Sequence, residues 1–263
     1  MKILLTGYKG FIGQNMVKAL KDDHELTFFE WGDNIPSFEG LDWCIHLGAI
    51  SSTTEKNVEK IMRQNHDFSC LILLTCQKFK VNLQYASSAS VYGRYSHFVE
   101  DDDLDPQSPY AWSKYLFDRH VKSVQFDDIV VQGFRYFNVY GPYEDHKGDQ
   151  SSPYHKFEKQ AKEKGVITLF ENSDRYLRDF IHVDQVIDIH KKFLQIKKTG
   201  IWNIGTGKPK SFLAVANEIC LKYNAKIEFI PMPESIKNQY QFYTKADLTK
   251  LNKELELYEK NSN

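Results

Sequence analysis

The chain has 263 residues, 41% hydrophobic and 14% aromatic, and its 34 Lys and Arg against 35 Asp and Glu leave a formal net charge of −1. This composition is typical of a folded globular domain rather than a disordered chain. The balanced charge gives no electrostatic basis for binding nucleic acid, whose phosphates are held by concentrated Lys and Arg. No apolar run is long enough to cross a bilayer, so no membrane partner is predicted.

The cysteines and the first residues point to a cellular compartment. Cys44, Cys70, Cys76 and Cys220 stand in apolar surroundings without a Cys-x-x-Cys pair, which is typical of reduced core thiols. The N-terminal apolar run reaches Gly7 too soon to be a signal peptide. Both features predict a cytoplasmic protein.

Short apolar runs alternate with amphipathic stretches along the first half of the chain. In chain order they predict a strand at 3–6, a helix at 11–20, strands at 26–29 and 43–47, a helix at 57–79, a strand at 83–87, a helix at 108–124 and a strand at 129–131. The second half predicts helices near 184–195 and 211–223 and strands at 201–204 and 227–230. Apolar strands separated by helices indicate an α/β fold with a doubly wound parallel sheet. Residues 1–141 with about 176–205 are expected to form the core, and about 142–175 with 206–263 a smaller, interwoven α/β lobe.

A glycine-rich turn follows the first predicted strand and opens the first helix. Gly7, Gly10 and Gly13 have the spacing Gly-x-x-Gly-x-x-Gly. Glycines at these points permit a tight turn and a close approach of the backbone to a pyrophosphate, which then lies on the N–H groups of the helix N-terminus. An ordinary strand–helix turn is the alternative interpretation. The position after a strand favours a dinucleotide site, to which Lys9, Phe11 and Ile12 would also belong.

An acidic residue, Glu30, follows the second predicted strand. Its carboxylate could accept hydrogen bonds from the adenosine ribose and would repel a 2′-phosphate. The next residues, Trp31 to Asp33, include no Arg or Lys to neutralise such a phosphate. The cofactor is therefore predicted to be NAD or NADP, with NAD slightly favoured, and the alternative is that Glu30 is a solvated strand end.

Tyr110 and Lys114 lie one helical turn apart near the start of a predicted helix. The spacing is not specific by itself, since Tyr143 and Lys147 share it. The first pair, however, comes soon after a strand that ends at Ser87–Ser88, and the carboxyl end of a strand is where a doubly wound sheet binds its ligand. The alternative is a surface Tyr–Lys pair and an unremarkable serine at a strand end.

Together, the glycine-rich turn, Ser88 and the Tyr110–Lys114 pair resemble the extended short-chain dehydrogenase/reductase family of nucleotide-sugar enzymes, which has a Rossmann-type fold. The resemblance implies that Tyr110 is the general acid or base on a sugar hydroxyl, and that Ser88 hydrogen-bonds the developing alkoxide. It also implies that Lys114 and the nicotinamide charge lower the pKa of the Tyr110 phenol. Further cofactor contacts are expected at Trp31, Leu47, Gly48, Ala49, Asn65, Lys114 and Val139.

Within that family, several segments are similar to the ADP-L-glycero-D-manno-heptose 6-epimerases. They are residues 48–55, 134–142, 144–148, 169–173, 178–180 and 244–249. The likeness implies that Lys147 is a second acid or base and that the reaction is a transient oxidation and re-reduction at C6 of an ADP-heptose or similar nucleotide sugar. The substrate-binding residues it implies are Ser51, Ser88, Asn138, Phe170, Glu171, Asn172, Ser173, Arg178 and Tyr240.

The chain also departs from the family pattern. Residues 30–43 leave no room for the usual strand and helix, the Asp-Asn pair and downstream Lys that other members use for NADP are absent, and the usual last helix is expected to be missing after Leu255. Family members are usually homo-oligomers, so a homo-oligomer is one expected assembly. No metal is predicted, because the histidines form no His-Glu-x-x-His or comparable ligand set.

Three other functions were considered. The shared Tyr, Lys and Ser do not choose the carbon that is oxidised, so a 4-epimerase or another oxidoreductase of the same family remains an alternative. A non-catalytic dinucleotide-binding protein is a remote alternative, because a binder does not need all three side chains. A dehydratase is disfavoured, since Ala89 and Ser90 stand where carboxylic acids would be required.

Overall fold

The computed structural model describes residues 1–101, 104–234 and 241–262. Its helices are α1 (Phe11–Leu20), α2 (Val58–Ile61), α3 (Phe68–Phe79), α4 (Pro109–Ser123), α5 (Pro153–Lys164), α6 (Val183–Phe193), α7 (Phe212–Tyr223) and α8 (Thr249–Ser262). A π-helical segment, Met62–Asp67, joins α2 to α3, and 3-10 segments cover Ala89–Tyr92 and Asp145–Gln150. The strands are β1 (Lys2–Thr6), β2 (Glu25–Phe29), β3 (Trp43–His46), β4 (Asn82–Ser88), β5 (Val131–Tyr136), β6 (Asn138–Tyr140), β7 (Val166–Phe170), β8 (Leu177–Arg178), β9 (Phe180–His182), β10 (Gly200–Ile204), β11 (Lys210–Ser211) and β12 (Lys226–Ile230).

The central feature is a six-stranded parallel sheet with the strand order β10-β5-β4-β3-β1-β2. Every residue of β3 and β5 is buried, as expected for strands covered on both faces. One apolar layer packs the sheet against α3 and α4, and the opposite layer packs it against α1 and α6. The predicted α/β fold with a doubly wound parallel sheet is confirmed.

The segment between β2 and β3 is a loop without helix or strand, as its length predicted. The chain therefore returns from β2 to β3 across β1 without the usual intervening elements. As a result β2 is an edge strand with β1 as its one hydrogen-bonded neighbour, and its Phe28 side chain is exposed.

The fifth strand differs from its prediction. The apolar run at 129–131 indicated a short strand, but β5 begins at Val131 and continues to Tyr136. Gln132 and Arg135 concealed its length, because a buried strand rarely contains such residues. Both have polar partners inside the protein: Gln132 Nε2 donates to backbone carbonyls that include Ile196 O at 2.7 Å, and Arg135 pairs with Asp118.

The sequence did not predict α8, which covers Thr249–Ser262. Leu251 of this helix is buried in the same cluster as Phe134 and Trp202 of the central sheet. Although the sequence placed residues 206–263 in the smaller lobe, α8 packs on the large sheet. Its apolar contacts, rather than its polar composition, account for the helix.

The remaining strands form two-stranded sheets, β7–β12, β8–β11 and β6–β9. Helices α5 and α7 cover β7 and β12 through a separate apolar cluster that includes Phe157, Ile167 and Val215. The two-lobe division of the chain stays a prediction. Among the described residues, none of the helices combines the length and apolar character that a membrane crossing requires.

Candidate active site

The glycine-rich loop lies between the end of β1 and the start of α1, where close packing leaves no room for side chains. Gly7 has a φ of +69°, and a Cβ atom added there would lie 2.5 Å from the backbone N of Gly48. A Cβ on Gly13 would lie 2.0 Å from the carbonyl oxygen of Gly7. Gly10 precedes the helix in an extended conformation, and no described side chain caps the helix N-terminus. This arrangement fits a dinucleotide pyrophosphate.

The other predicted cofactor residues surround this loop. Ile12, Leu47 and Val139 are partly buried and pack against one apolar cluster, and Gly48 N donates to Thr6 Oγ1 at 3.1 Å. Ala49 follows, half-buried.

Asn65 lies behind the loop that carries Leu47, Gly48 and Ala49. Its Oδ1 accepts from Ile50 N at 2.8 Å, and its Nδ2 donates to Ile50 O at 3.0 Å and to Ser113 Oγ at 3.1 Å. These bonds join the loop to α4 through the π-helical segment. Asn65 therefore connects the loop after β3 to α4, the helix that carries Tyr110.

Glu30 lies against the glycine-rich loop, since its Oε1 accepts from Lys9 N at 3.0 Å. Residues 31–33 supply no cation, but a more distant part of the chain does. The Arg63 guanidinium stands 5.9 Å from the centre of the Trp31 ring. Arg63 belongs to the π-helical segment, so the fold brings it to a position that residues 31–33 could not indicate.

Ser88, Tyr110 and Lys114 meet at the carboxyl end of β4. Ser88 is the last residue of that strand, and Tyr110 stands in the first turn of α4, which Ser108 caps by accepting from Ala111 N at 3.2 Å. Lys114 lies one turn further and donates from Nζ to Ala86 O at 2.8 Å. The structure thus brings Tyr110 to Ser88 and brings Lys114 to the same strand, two residues earlier.

Burial is the largest cause of the pKa shifts of Tyr110 and Lys114. Burial raises the pKa of the Tyr110 phenol, while its hydrogen bond with Ser88 lowers it. The lowered phenol pKa expected from the resemblance is therefore not a property of the chain alone, because desolvation outweighs the hydrogen bond. Burial also lowers the pKa of Lys114 to about 8, opposed by the Asp118 carboxylate.

Sequence reasoning missed Tyr136, the register partner of Ser88 on β5. Its hydroxyl lies 2.6 Å from His190 Nε2. Burial raises the pKa of Tyr136, and the neighbouring Tyr110 raises it further. The residue stood within the motif at 134–142, but only strand register shows that it adjoins the Ser88–Tyr110 pair.

Lys147 lies beside Phe11, the first residue of α1 after the glycine-rich loop. Its Nζ is 3.3 Å from Glu144 Oε2 and 4.9 Å from the centre of the Phe11 ring. Glu144 is fully buried and also accepts from Ser152 N at 2.6 Å and from Ser152 Oγ at 2.7 Å. A buried carboxylate therefore holds the turn that carries Lys147.

The predicted substrate residues fall into two sets. Asn138 continues the chain from β5 into β6 and donates from its backbone N to Asp179 O at 3.0 Å. Ser51 lies in the exposed loop after Ala49. These two residues, with Ser88, lie near the ends of the central strands.

The second set lies in the part built on β7 and β8. Phe170 ends β7 and is followed by Glu171 and Asn172, both exposed, and by Ser173, whose buried Oγ has no hydrogen-bond partner among the described residues. Arg178 donates to Leu177 O at 2.9 Å and to Gln241 O. Tyr240 lies outside the described residues. Gln241 Nε2 in turn donates to Gly93 O at 3.0 Å, close to the turn that follows Ser88.

The parallel sheet and the glycine-rich loop at its carboxyl edge define a Rossmann-type dinucleotide-binding protein, and comparisons with known proteins narrow this class. A family model described as the NAD dependent epimerase/dehydratase family matches residues 3–205. A curated relative, ADP-L-glycero-D-manno-heptose-6-epimerase of Brachyspira hyodysenteriae, is 37% identical and aligns with 95% of this chain and 90% of its own length. The chain belongs to the NAD dependent epimerase/dehydratase family.

Two solved structures share the fold over nearly the whole chain. Helicobacter pylori ADP-L-glycero-D-manno-heptose-6-epimerase is 25% identical, with a TM-score of 0.79 over 98% of this chain and 96% of that one. The UDP-N-acetylglucosamine 4-epimerase of Methanobrevibacter ruminantium, in complex with UDP-N-acetylmuramic acid, is 21% identical, with a TM-score of 0.87 over 96% and 91%. The predicted family and enzyme class are confirmed, and so is a nicotinamide dinucleotide, NAD or NADP, as the cofactor.

No three described His, Cys, Asp or Glu side chains are grouped so that they could hold a metal ion. Protein metal sites usually collect three or four such ligands.

Proposed function

We propose that this chain is a nucleotide-sugar epimerase that acts on the exocyclic C6 of an ADP-heptose. The contact between Tyr110 and Ser88, at the same carboxyl edge of the sheet as the glycine-rich loop, carries the proposal, because it places a proton acceptor and a hydroxyl donor together where the cofactor is expected. The 37% identity to a curated heptose 6-epimerase supports the substrate class.

The residues divide the work of the proposed reaction. The loop from Gly7 to Gly13 would hold the pyrophosphate, and Glu30 the adenosine ribose. A bound nicotinamide dinucleotide would supply the site that accepts a hydride and returns it. Tyr110 would take the proton from the substrate hydroxyl, while Ser88, whose Oγ accepts from Ser90 N at 3.2 Å, keeps its own proton for donation to the substrate oxygen.

Epimerisation requires that, after the carbonyl has turned, the hydride return to the opposite face of its carbon while a second residue gives a proton to its oxygen. A carbonyl outside the sugar ring can rotate about its bond to the ring, so the ring itself need not move. We assign the second proton donor to Lys147, because the buried Glu144 holds its turn beside Phe11 at the nucleotide loop. Such a two-sided arrangement would invert the carbon without net consumption of the cofactor.

We propose NAD rather than NADP as the cofactor. The Glu30 carboxylate is hydrogen-bonded to Lys9 N on the loop itself, so it would meet a 2′-phosphate at close range. Arg63 is exposed, and solvent weakens the attraction of an exposed cation for a phosphate. The loop-bound carboxylate is therefore expected to prevail.

A second copy of this chain is the proposed macromolecular partner. Asp67, Leu71, Leu74 and Lys78 form an exposed stripe along α3, with Leu71 42% and Leu74 59% exposed. Antiparallel pairing about a two-fold axis between residues 72 and 73 would set Leu71 against Leu74 of the second copy and Asp67 against its Lys78. This self-complementarity suits an isologous interface.

The test of function is incubation with a panel of ADP- and other nucleotide-linked heptoses and hexoses, followed by NMR of the sugar. The expected result is inversion at the exocyclic carbon without net reduction of the cofactor. Replacement of Tyr110 by Phe or of Lys147 by Ala should lower kcat by about 10²–10⁴-fold, the usual contribution of a general acid or base.

The matched control is Tyr143→Phe, because Tyr143 shares the Tyr-x-x-x-Lys spacing but is exposed. Wild-type turnover in Lys147→Ala would exclude the two-sided scheme. Inversion at a ring carbon would instead favour the 4-epimerase alternative.

A further inference from the structure

Side chains of helix α4 form hydrogen bonds with three consecutive residues of β4, immediately before Ser88. Lys114 Nζ donates to Ala86 O at 2.8 Å. The Tyr85 hydroxyl donates to Asp118 Oδ1 at 3.0 Å, and the Ser87 hydroxyl donates to Asp118 Oδ2 at 3.0 Å. The strand that ends in Ser88 and the helix that carries Tyr110 in its first turn are therefore joined by two α4 side chains, Lys114 and Asp118, one turn apart.

Asp118 is itself held from the far side. Arg135 Nε donates to Asp118 Oδ2 at 2.9 Å, and both side chains are essentially inaccessible to solvent. Arg135 Nη1 donates to the Tyr92 hydroxyl at 3.0 Å and to Glu100 O at 3.1 Å. The guanidinium is thus fixed by three neighbours, and it fixes the carboxylate in turn.

The central strand leaves space for this arrangement at Gly133. A Cβ atom there would lie 2.4 Å from the Tyr85 hydroxyl oxygen. Only the absence of a side chain at this position lets the Tyr85 ring reach across β5 towards Asp118. The glycine in the middle of a buried strand therefore has a specific structural role.

Asp118 stands between two buried cations. Arg135 lies on one side, and Lys114 lies one helical turn away on the other. Two neighbouring groups carry no compensating charge. Burial lowers the pKa of His46 on β3 to about 3, which leaves it neutral, and burial keeps the phenol of Tyr110, on α4 itself, protonated by raising its pKa. A buried cation without an anion would give up its proton.

We propose that Asp118 is a positioning residue of this enzyme. Its two oxygens fix β4 and α4 so that Tyr110 meets Ser88, and its charge keeps Lys114 protonated beside them. The link to catalysis rests on the proposed function, whereas the contacts of Asp118 do not. Asp118 acts through Lys114, Tyr85 and Ser87 and touches no reacting atom.

The test measures the side-chain titration of Lys114 by ¹⁵N NMR of the full chain, without substrate. Lys114→Arg identifies the signal. In Asp118→Asn, loss of the anion should lower the pKa of Lys114 by at least about one unit, a tenfold weaker hold on the proton. The matched control is Asp128→Asn, which removes an exposed carboxylate 3.2 Å from Lys80 and should leave Lys114 unchanged.

An unchanged Lys114 titration in folded Asp118→Asn would overturn the proposal. Asp118→Glu retains the negative charge, but its longer side chain displaces the carboxylate. The pKa of Lys114 should therefore return to the wild-type value, while kcat stays at least tenfold below that of the wild-type chain. If Asp118 had a purely structural role, the pKa of Lys114 would not change in Asp118→Asn, and the Asn and Glu variants would not differ in that pKa.

Should Asp118→Asn fail to fold, the variants Tyr85→Phe and Ser87→Ala test the same point with both charges in place. Each removes one hydrogen bond to Asp118, so the Tyr110–Ser88 contact should loosen and the pKa of Tyr110, followed by ¹³C NMR, should rise. No change in either variant would refute the positioning role. If the wild-type chain turned over no sugar on the panel but Lys114 shifted as expected, the proposed function would fail and this inference would stand.

Discussion

Glu30 and Arg63 bring opposite charges to the part of the chain where the adenosine ribose is proposed to bind. The carboxylate is tied to Lys9 N, whereas the guanidinium lies over the exposed Trp31 ring. A carboxylate favours the two free hydroxyls of NAD, and a guanidinium favours a phosphate. Cofactor choice at this site is therefore a balance between two side chains.

Glu30→Gln should raise the affinity for NADP relative to NAD by at least about tenfold, because one unit of charge repulsion is removed next to the 2′-phosphate. Arg63→Ala should weaken NADP binding and leave NAD binding within about twofold. Calorimetric titration of both dinucleotides measures the two effects, with the exposed Arg94→Ala as the control. Equal effects of Glu30→Gln on NAD and NADP would contradict the assignment.

At the level of single elements, α3 presents an amphipathic surface that the fold leaves uncovered. Its inner face packs on the central sheet, while Leu71 and Leu74 point to solvent between Asp67 and Lys78. Scattered exposed leucines are common on monomers. A helix-spaced pair between opposite charges is a more specific feature.

Leu74→Glu should therefore shift the chain towards monomer in sedimentation equilibrium, with dissociation at least about tenfold easier, since two carboxylates would enter the apolar centre of the interface. Leu221→Glu is the control, because Leu221 is 88% exposed on α7, away from the stripe. If both variants sediment like the wild-type chain, α3 is not the interface.

The sequence predicted those helices and strands whose formation depends on a local pattern of residues. Apolar periodicity located β1, α1 and α4, and Ser108-Pro109 marked the start of α4. The local pattern did not predict most of β5, because Gln132 and Arg135 are buried there against polar partners distant in sequence. It also did not predict α8, because that helix depends on contacts with the central sheet.

The site shows the same limit. Tyr110 and Lys114 follow from helical spacing and Gly7 to Gly13 from loop position, but Arg63 and Tyr136 are brought there by tertiary packing and strand register. Asp118, four residues after Lys114, has a spacing that could have revealed it. Its partner Arg135 could not be found that way.

Across the whole molecule, a neutral histidine is buried in each layer beside the sheet. His46 on β3 bonds to Thr6 and Ser69, and His190 on α6 bonds to Tyr136 and Gln84. Burial lowers the pKa of each to about 3, and for His46 the Lys114 ammonium adds to the effect. Between pH 3 and 6.5 the unfolded chain therefore binds two protons that the folded chain does not.

Stability should consequently fall as the pH drops below 6.5. From pH 7.5 to 5.5 each histidine should cost about 1.4 kcal/mol of unfolding free energy, as measured by urea denaturation. His190→Gln should halve the slope of unfolding free energy against pH, whereas the exposed His97→Gln should not change it. A flat profile over this range would show that the histidines are charged in the folded state.

The bare loop between β2 and β3 has a practical consequence. The half of the sheet where the adenosine is proposed to bind has a short connection between β2 and β3 in place of a further strand and helix. The proposed catalytic residues Ser88 and Tyr110 lie on the other half, near Asp118 and Arg135. The two halves can thus be redesigned separately. A longer segment grafted between Glu30 and Trp43 could retune dinucleotide choice without disturbing the chemistry at Tyr110.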